Sequence, residues 1–425
     1  MSTTIEPVSQ VRSTPQVRPH LSRDELRDVL TVSLRAGHLM LESGANTLRV
    51  EQTIHQLGTA LGAEWLEIYV TPGAIIATDV SYGEHRTRVQ RVTKHSIDLS
   101  RMAAIVEMTR RTVAGELGYA EVRDRLERIA QRPRFYNRWL TALAVGLGCA
   151  SFAALFGGGP YEVLIAGIAS GLAQLLRSVL LHTSISLLLV TVLVAITASG
   201  TALSLASLFA FVAPELAILA SVLLLVPGAL LVSSVADLFR GDILAGMARG
   251  ASAVLILTAI GIGLWITLLV SQAQISLMTA TPPGLLASSA LAASAAIGFA
   301  VLFNVRWHML FFCGLIASLA YSARYGALLI GVPPEAAIFL GGLTIGILSE
   351  LLARMWKLPT AIFSIPSFIP FVPGVLGFST VINFVNADYT EGLSTLVRTT
   401  LLVGALAAGI GMINALVRRR TSSLL

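Results

Sequence analysis

Two stretches decide how this chain is read: LLLVPGALLVSSVADLFRGD at Leu223–Asp242 and SFIPFVPGVLGFSTVINF at Ser367–Phe384. Both are apolar enough to enter a bilayer, and both contain Val-Pro-Gly. Val226-Pro227-Gly228 and Val372-Pro373-Gly374 lie 146 residues apart. Proline lacks a backbone donor and clashes with the preceding turn, while glycine admits non-helical dihedrals. Each stretch therefore predicts a helix broken near the middle of the membrane. Polar residues follow each break: Ser233, Ser234 and Asp237 after the first, Ser379, Thr380 and Asn383 after the second. The second stretch and its flank add Pro359, Pro366 and Pro370, so 359–384 is not one straight helix.

Composition agrees. The 425 residues are 55% hydrophobic and 13% charged, with a mean hydropathy of +0.76. A soluble domain carries about 25% charge, which excludes a water-soluble enzyme for the whole chain. The charge is also uneven: residues 1–138 hold 19 of the 30 Lys+Arg and 16 of the 24 Asp+Glu. The expectation is a disordered tail at 1–22, an α+β domain at 23–138, and an all-α polytopic membrane domain beyond it.

About ten spans are expected, near 140–156, 161–181, 184–204, 216–236, 251–271, 284–304, 309–331, 335–356, 359–384 and 395–417. They divide into two five-helix sets, 139–271 and 272–425. The Val-Pro-Gly motif falls in the fourth span of each, and Arg177 and Arg324, 147 residues apart, fall in the second. Five is odd, so the second set enters from the opposite face, an inverted repeat of the kind found in secondary transporters. The 1–22 tail has no apolar signal core, which places the charged N-terminal domain in the cytoplasm. The inner ends then hold Arg177, Arg240, Arg249, Arg306, Arg354, Lys357 and Arg418-Arg419-Arg420, against Arg324 and Arg398 outside. This bias supports cytoplasmic N- and C-termini in a cell membrane.

In the N-terminal domain, Ser22 followed by Arg23-Asp24-Glu25 predicts a capped helix start. Alternating runs from Trp65 to Val92, punctuated by Pro72-Gly73 and Tyr82-Gly83, predict a small meander. His38, Glu42, His55, Asp79, His85, His95 and Asp98 are the candidate reactive groups, but they form no metal, nucleophile or phosphate-loop motif. Cys149 and Cys313 lie in apolar runs and read as packing residues. No metal, no cofactor and no nucleic-acid partner is expected.

Bared helix N-termini at two facing breaks favour a carboxylate. The candidate substrate-binding residues are Pro227, Gly228, Ser233, Ser234, Pro366, Ser367, Pro370, Pro373, Gly374 and Asn383. Charges near spans are costly and need a reason, so Asp237, Asp242 and Glu350 are the candidates for proton coupling. For Asp237 an ion pair with Arg240 is the alternative reading, and for Glu350 a helical pair with Arg354. Arg324 either clamps a carboxylate or reaches the headgroups. Asn304, Asn383 and Asn414 read as hydrogen-bonding links between helices.

These residues resemble the threonine/serine exporter family over about 23–417. The resemblance rests on Gly44-Ala45-Asn46-Thr47, Tyr69-Val70-Thr71-Pro72-Gly73, Val226-Pro227-Gly228, Asp237-Leu238, Gly241-Asp242, Gly246, Arg249 and Ile365-Pro366-Ser367-Phe368-Ile369-Pro370-Phe371-Val372-Pro373-Gly374. It implies ten spans, a cytosolic N-terminal domain and proton-driven export of a small amino acid. Two-chain relatives linked to dicarboxylate export keep a succinate-like substrate open, more so because Ser233 and Ser234 stand where the family tends to carry an Asn. A membrane-anchored hydrolase, a regulatory gate and a homo-oligomer complete the alternatives.

Overall fold

The computed structural model describes residues 22–81, 84–93, 96–209, 214–271 and 283–422. The tail 1–21 and His95 lie outside the described residues, as do the side chains of His85, Asn414 and Arg418–Arg420.

The N-terminal unit runs α1 (Arg23–Glu42), α2 (Thr47–Ala60), β1 (Trp65–Thr71), β2 (Ala74–Ser81), β3 (Glu84–Arg91), α3 (Leu99–Val113) and α4 (Tyr119–Gln131). Its starts are set by local chemistry. The Ser22 hydroxyl accepts from the Glu25 N–H, and the Glu25 carboxylate accepts from the Ser22 N–H. Asn46 caps α2 through the Arg49 N–H, and Asp98 caps α3 through the Arg101 N–H. The sheet is antiparallel in the order β1-β2-β3, with turns closing at Thr71↔Ala74 and Ser81↔Glu84. Leu66, Val70, Ile75 and Ala77 bury one face against the helices.

The membrane part runs α5 (Arg138–Leu155), α6 (Pro160–Leu180), α7 (Leu187–Ala206), α8 (Pro214–Val222), α9 (Gly228–Phe239) and α10 (Ile243–Ser271). It continues with α11 (Leu285–Leu302), α12 (Trp307–Leu329), α13 (Pro334–Trp356), α14 (Ala361–Phe368), α15 (Gly374–Val385) and α16 (Tyr389–Ser422). Eight of these helices are long and apolar enough to cross a membrane. The pairs α8/α9 and α14/α15 pass the same test as units bent by 58° and 54°, and counting each pair as one span brings the total among the described residues to ten. In each pair a 3₁₀ turn, Leu223–Leu225 or Ile369–Phe371, precedes the break. With each bent pair taken as one span, the element order has a broken span fourth among the helices from α5 to α10 and fourth among those from α11 to α16.

The repeat extends to single hydrogen bonds. Pro227 (φ −79°, ψ 53°) and Pro373 (φ −73°, ψ 69°) are each the centre of an inverse γ-turn. Gly228 N–H donates to the Val226 carbonyl at 2.8 Å, and Gly374 N–H donates to the Val372 carbonyl at 2.7 Å. Downstream, Asp242 N–H donates to Asp237 O, and Asp388 N–H to Asn383 O. The carboxylates of Asp242 and Asp388 then cap α10 and α16 through Ala245 and Glu391. These Asp caps start both helices several residues ahead of their apolar cores. That is why α10 and α16 begin earlier than the apolar runs at 251 and 395 indicate.

The two sets meet along α5 and α11. Gly148 lies against Phe299 and the Ala295 carbonyl, and Gly298 against the Ala144 carbonyl. The Ser151 hydroxyl donates to Ser294 at 2.9 Å. As the position advances on one helix it recedes on the other, so the pair is antiparallel, as inversion requires. The small residues let the backbones approach closely.

A side chain at Gly298 would collide with backbone, which cannot swing away. Gly298→Val should lower the thermal midpoint of the detergent-solubilised protein by the equivalent of about 1–3 kcal/mol, the cost of overpacking. Gly404→Ala, where an added methyl meets nothing within 4 Å, should leave it unchanged.

Candidate functional site

The two Val-Pro-Gly breaks lie against one another. A methyl on Gly228 would sit 2.8 Å from Val372 Cγ2, and one on Gly374 would sit 2.5 Å from Leu223 Cδ2. Each glycine therefore receives a side chain from the opposite break, and the exchange is reciprocal. Phe152, Leu223, Val226, Ile369 and Val372 line the space between them together with the two glycines; its volume is about 20 Å³. That is room for about one water, in apolar walls.

The other candidate residues divide by what occupies their polar atoms. Ser367 donates to the carbonyls of Cys313 and Phe363. Pro366 cannot donate to the carbonyl four residues back, Ile362. The Cys313 thiol donates to that carbonyl instead, at 3.4 Å, so Cys313 does more than fill space. Pro370 sits in the 3₁₀ turn before the second break. Ser379 and Thr380 donate to their own helix at Val375 and Leu376. Ser233 and Asn383 are half-buried. Ser234 donates to the Gly246 carbonyl at 2.7 Å, where a methyl on Gly246 would strike Leu238 Cγ at 2.6 Å. This glycine lets α10 close on α9.

A second, polar cluster lies where the N-terminal unit docks, on what we term the proximal face. Asp237 is 2% exposed and is paired with Arg249, on the neighbouring α10, through Oδ2 and Nη1. Arg240 stands 3.7 Å away, a weaker partner. Arg249 also donates to the Ala45 carbonyl at 3.3 Å, and Thr47 donates to Asp242 Oδ2 at 2.7 Å. Arg49, in the first turn of α2, is held below the usual guanidinium range by burial, with the Glu350 charge opposing that shift. Glu51 is pushed up, chiefly by burial, with Asp242 adding in the same direction. Glu350 is bonded to Arg354 at 2.7 Å. The fold thus ties Asp242, and Asp237 through Arg249, to one short segment, Ala45–Thr47, and leaves Glu350 within electrostatic reach of Arg49. Sequence reading missed Arg249 as the partner of Asp237. The available signal was the Gly241 turn (φ +82°), which folds α10 back on α9.

Asn304 departs from the interhelical reading. It takes a left-handed backbone (φ 59°) at the end of α11. Its amide donates to Asp98 Oδ1 at 2.9 Å, and its carbonyl oxygen accepts from the Phe135 N–H. It ties the membrane part to the N-terminal unit. Arg324 lies 5.3 Å over the Tyr321 ring and has a buried Nε with no partner among the described residues. In the N-terminal unit, His38 Nδ1 is buried with no partner among the described residues, and Glu42 stands 3.8 Å from Arg101. Burial holds the His38 imidazole below its ordinary range against the raising effect of Glu42. Among the described residues no three His, Cys, Asp or Glu side chains are grouped to hold a metal ion.

Removing one member of a buried pair leaves an uncompensated charge, at a cost of about 3–5 kcal/mol. Arg249→Gln should therefore lower the thermal midpoint sharply, and Asp237→Asn/Arg249→Gln should recover most of the loss. A double-mutant cycle by thermal denaturation measures this coupling.

Comparison with known proteins follows the same division. The profile described as "Putative threonine/serine exporter" matches residues 31–271, and that described as "Threonine/Serine exporter, ThrE" matches residues 288–416. The boundary between them falls between the two sets of spans. A relative from Klebsiella aerogenes named "Probable succinate transporter subunit YjjP" is 35% identical over 57% of this chain and 93% of its own length. A relative from Mycobacterium tuberculosis named "Probable threonine/serine exporter" is 26% identical over 90% of this chain and 75% of its own. No solved structure matches the chain. With its first profile covering more than half of the sequence and its second covering the repeat that follows, the chain belongs to the threonine/serine exporter family, a family of membrane transporters.

Proposed function

We propose that the chain is a secondary transporter that exports small amino acids of the threonine/serine kind, driven by protons, with its N-terminal unit and both termini in the cytoplasm. The observation that carries this reading is the reciprocal packing of the two broken spans, Gly228 on Val372 and Gly374 on Leu223. Helix breaks at mid-membrane are tolerated where they are buried in protein or line a cavity. A junction whose halves belong to oppositely oriented repeats can do both in turn. In the closed form the side chains of each break fill the glycine of the other. Rocking one repeat against the other would part them and expose the first N–H groups of α9 and α15 to a substrate carboxylate. Pro227, Gly228, Pro366, Pro370, Pro373 and Gly374 shape this site in our reading. Ser233, Ser234, Ser367 and Asn383 would present polar atoms once the helices move.

Protons would act at Asp237, Asp242 and Glu350. Support comes from their links to Ala45, Thr47 and Arg49, where a change in charge would alter how the N-terminal unit is held. A dicarboxylate substrate is the second reading. It is favoured by the higher identity to the relative named as a succinate transporter subunit than to the one named as a threonine/serine exporter. An enzymatic role is not proposed: of His38, Glu42, His95 and Asp98, His95 lies outside the described residues, Glu42 faces Arg101, and Asp98 caps α3 and accepts from Asn304.

Flux of radiolabelled threonine into inverted vesicles under an imposed pH gradient tests the proposal. The same assay is run with radiolabelled succinate: threonine flux that excess succinate leaves unchanged supports the first reading, succinate flux that excess threonine leaves unchanged supports the second, and no flux of either would remove both. Gly374→Ala should slow transport by roughly tenfold or more, because the added methyl obstructs closure by about the cost of overpacking. Gly377→Ala, with open space around it, should behave as wild type. Asp237→Asn/Arg249→Gln should retain its fold and lose the dependence of flux on the pH gradient.

A further inference from the structure

A second, larger cavity of about 680 Å³ lies between the N-terminal unit and the proximal ends of α12, α13 and α14. Its charge is one-sided. Arg110, Arg111, Arg125, Arg128, Arg306 and Lys357 line it against a single carboxylate, Glu107. Two of the six are already engaged: Arg110 forms a two-pronged bond with Glu107 (2.6 and 3.0 Å), and Arg111 binds Glu116 at 2.7 Å. Arg125, Arg306 and Lys357 make no ion pair among the described residues, and Arg128 donates only to the Asp124 carbonyl. Lys357 closes α13 in a left-handed backbone (φ 53°), a position where glycine is the favoured residue. Gathering these cations in one recess is unfavourable unless an anion joins them.

We propose that this cavity binds a multivalent, phosphate-bearing anion that bridges the N-terminal unit and the membrane part. The cavity is more than thirty times the volume of the junction space, far more than a small carboxylate fills. Guanidinium forks match phosphate oxygens in pairs. The remaining wall is amphipathic, with Trp356, His308, Met309 and Ile362 beside the charges, so a ligand with an apolar or flat portion gains contact there. The cations come from α3 and α4 on one side and from the Arg306 and Lys357 loops on the other. A bound polyanion would hold the two parts together next to Ile362, in the first turn of α14, and so bias the mobility of the second broken span. The source is either a soluble phosphate compound or an anionic phospholipid headgroup. Trp307 and Trp356, adjoining Arg306 and Lys357 and 78% and 45% exposed, have the chemistry of residues at the bilayer interface.

The test uses the full-length protein and sodium triphosphate as probe, with binding followed by calorimetry in nanodiscs of phosphatidylcholine alone or mixed with phosphatidylglycerol. Triphosphate should bind in phosphatidylcholine. Arg125→Gln/Arg306→Gln/Lys357→Gln should weaken it by roughly tenfold or more, and Arg123→Gln, a charge removed from the same helix outside the cavity, should not. The single substitutions Arg306→Gln and Lys357→Gln, at exposed sites, should each give part of the loss and guard against misfolding of the triple variant. If phosphatidylglycerol competes with triphosphate in the wild type, the headgroup is the ligand; if it leaves the affinity unchanged, a soluble phosphate is. Absence of triphosphate binding, or equal binding by the triple variant and Arg123→Gln, would overturn the proposal.

Discussion

Inside a bilayer there is no water to take up a backbone N–H or carbonyl that a broken helix releases. This constraint organises the membrane part. At Pro227 and Pro373 the first N–H after each break turns back on the carbonyl two residues before it, closing a γ-turn. At Pro366 the carbonyl released within α14 is taken by the Cys313 thiol. The breaks are kept from lipid by burying each other, a glycine on one side receiving a branched side chain from the other. That exchange needs two segments of opposite direction meeting at one place, which the antiparallel contact of α5 and α11 supplies.

The repeats share a backbone but not a charge pattern. Asp237 and Arg249 in the first occupy the positions of Asn383 and Thr395 in the second, although Asp242 and Asp388 make the same helix caps. The buried Asp237–Arg249 pair lies on the face where the N-terminal unit docks. A charged pair withdrawn from water must be covered and hydrogen-bonded on all sides, and the Ala45 carbonyl provides one of those bonds. Thr47 adds a bond to the neighbouring Asp242. The Gly44–Thr47 turn is therefore a structural complement to Asp237 and Arg249, which explains why motifs about 190 residues apart in the chain belong to one cluster.

A second set of contacts adjoins this turn, since the Asp98 N–H donates to the Ser43 carbonyl. Leu99 N–H donates to Phe303 O, Tyr136 OH to Val305 O, and Arg134 to the carbonyls of Ile97 and Leu302. The end of α11 thus finds its partners in the N-terminal unit rather than in neighbouring spans. A movement of one repeat against the other has to be transmitted to that unit or break these bonds.

Much of this was legible in the chain itself. Apolar run length fixes the number of spans, proline and glycine mark the breaks, and the shared offset of the motifs reveals the repeat, because each depends on local stereochemistry or on transfer from water to lipid. The helix starts at Ile243 and Tyr389 were not legible from hydropathy, since an Asp side chain sets them and apolar content does not. Nor did the sequence reveal that Arg249, twelve residues on, displaces Arg240 as the main partner of Asp237, or that Asn304 binds Asp98 rather than another span. Those pairings depend on which helix faces which after folding, a matter of close packing and of satisfying every buried polar group, and only the tertiary structure decides it.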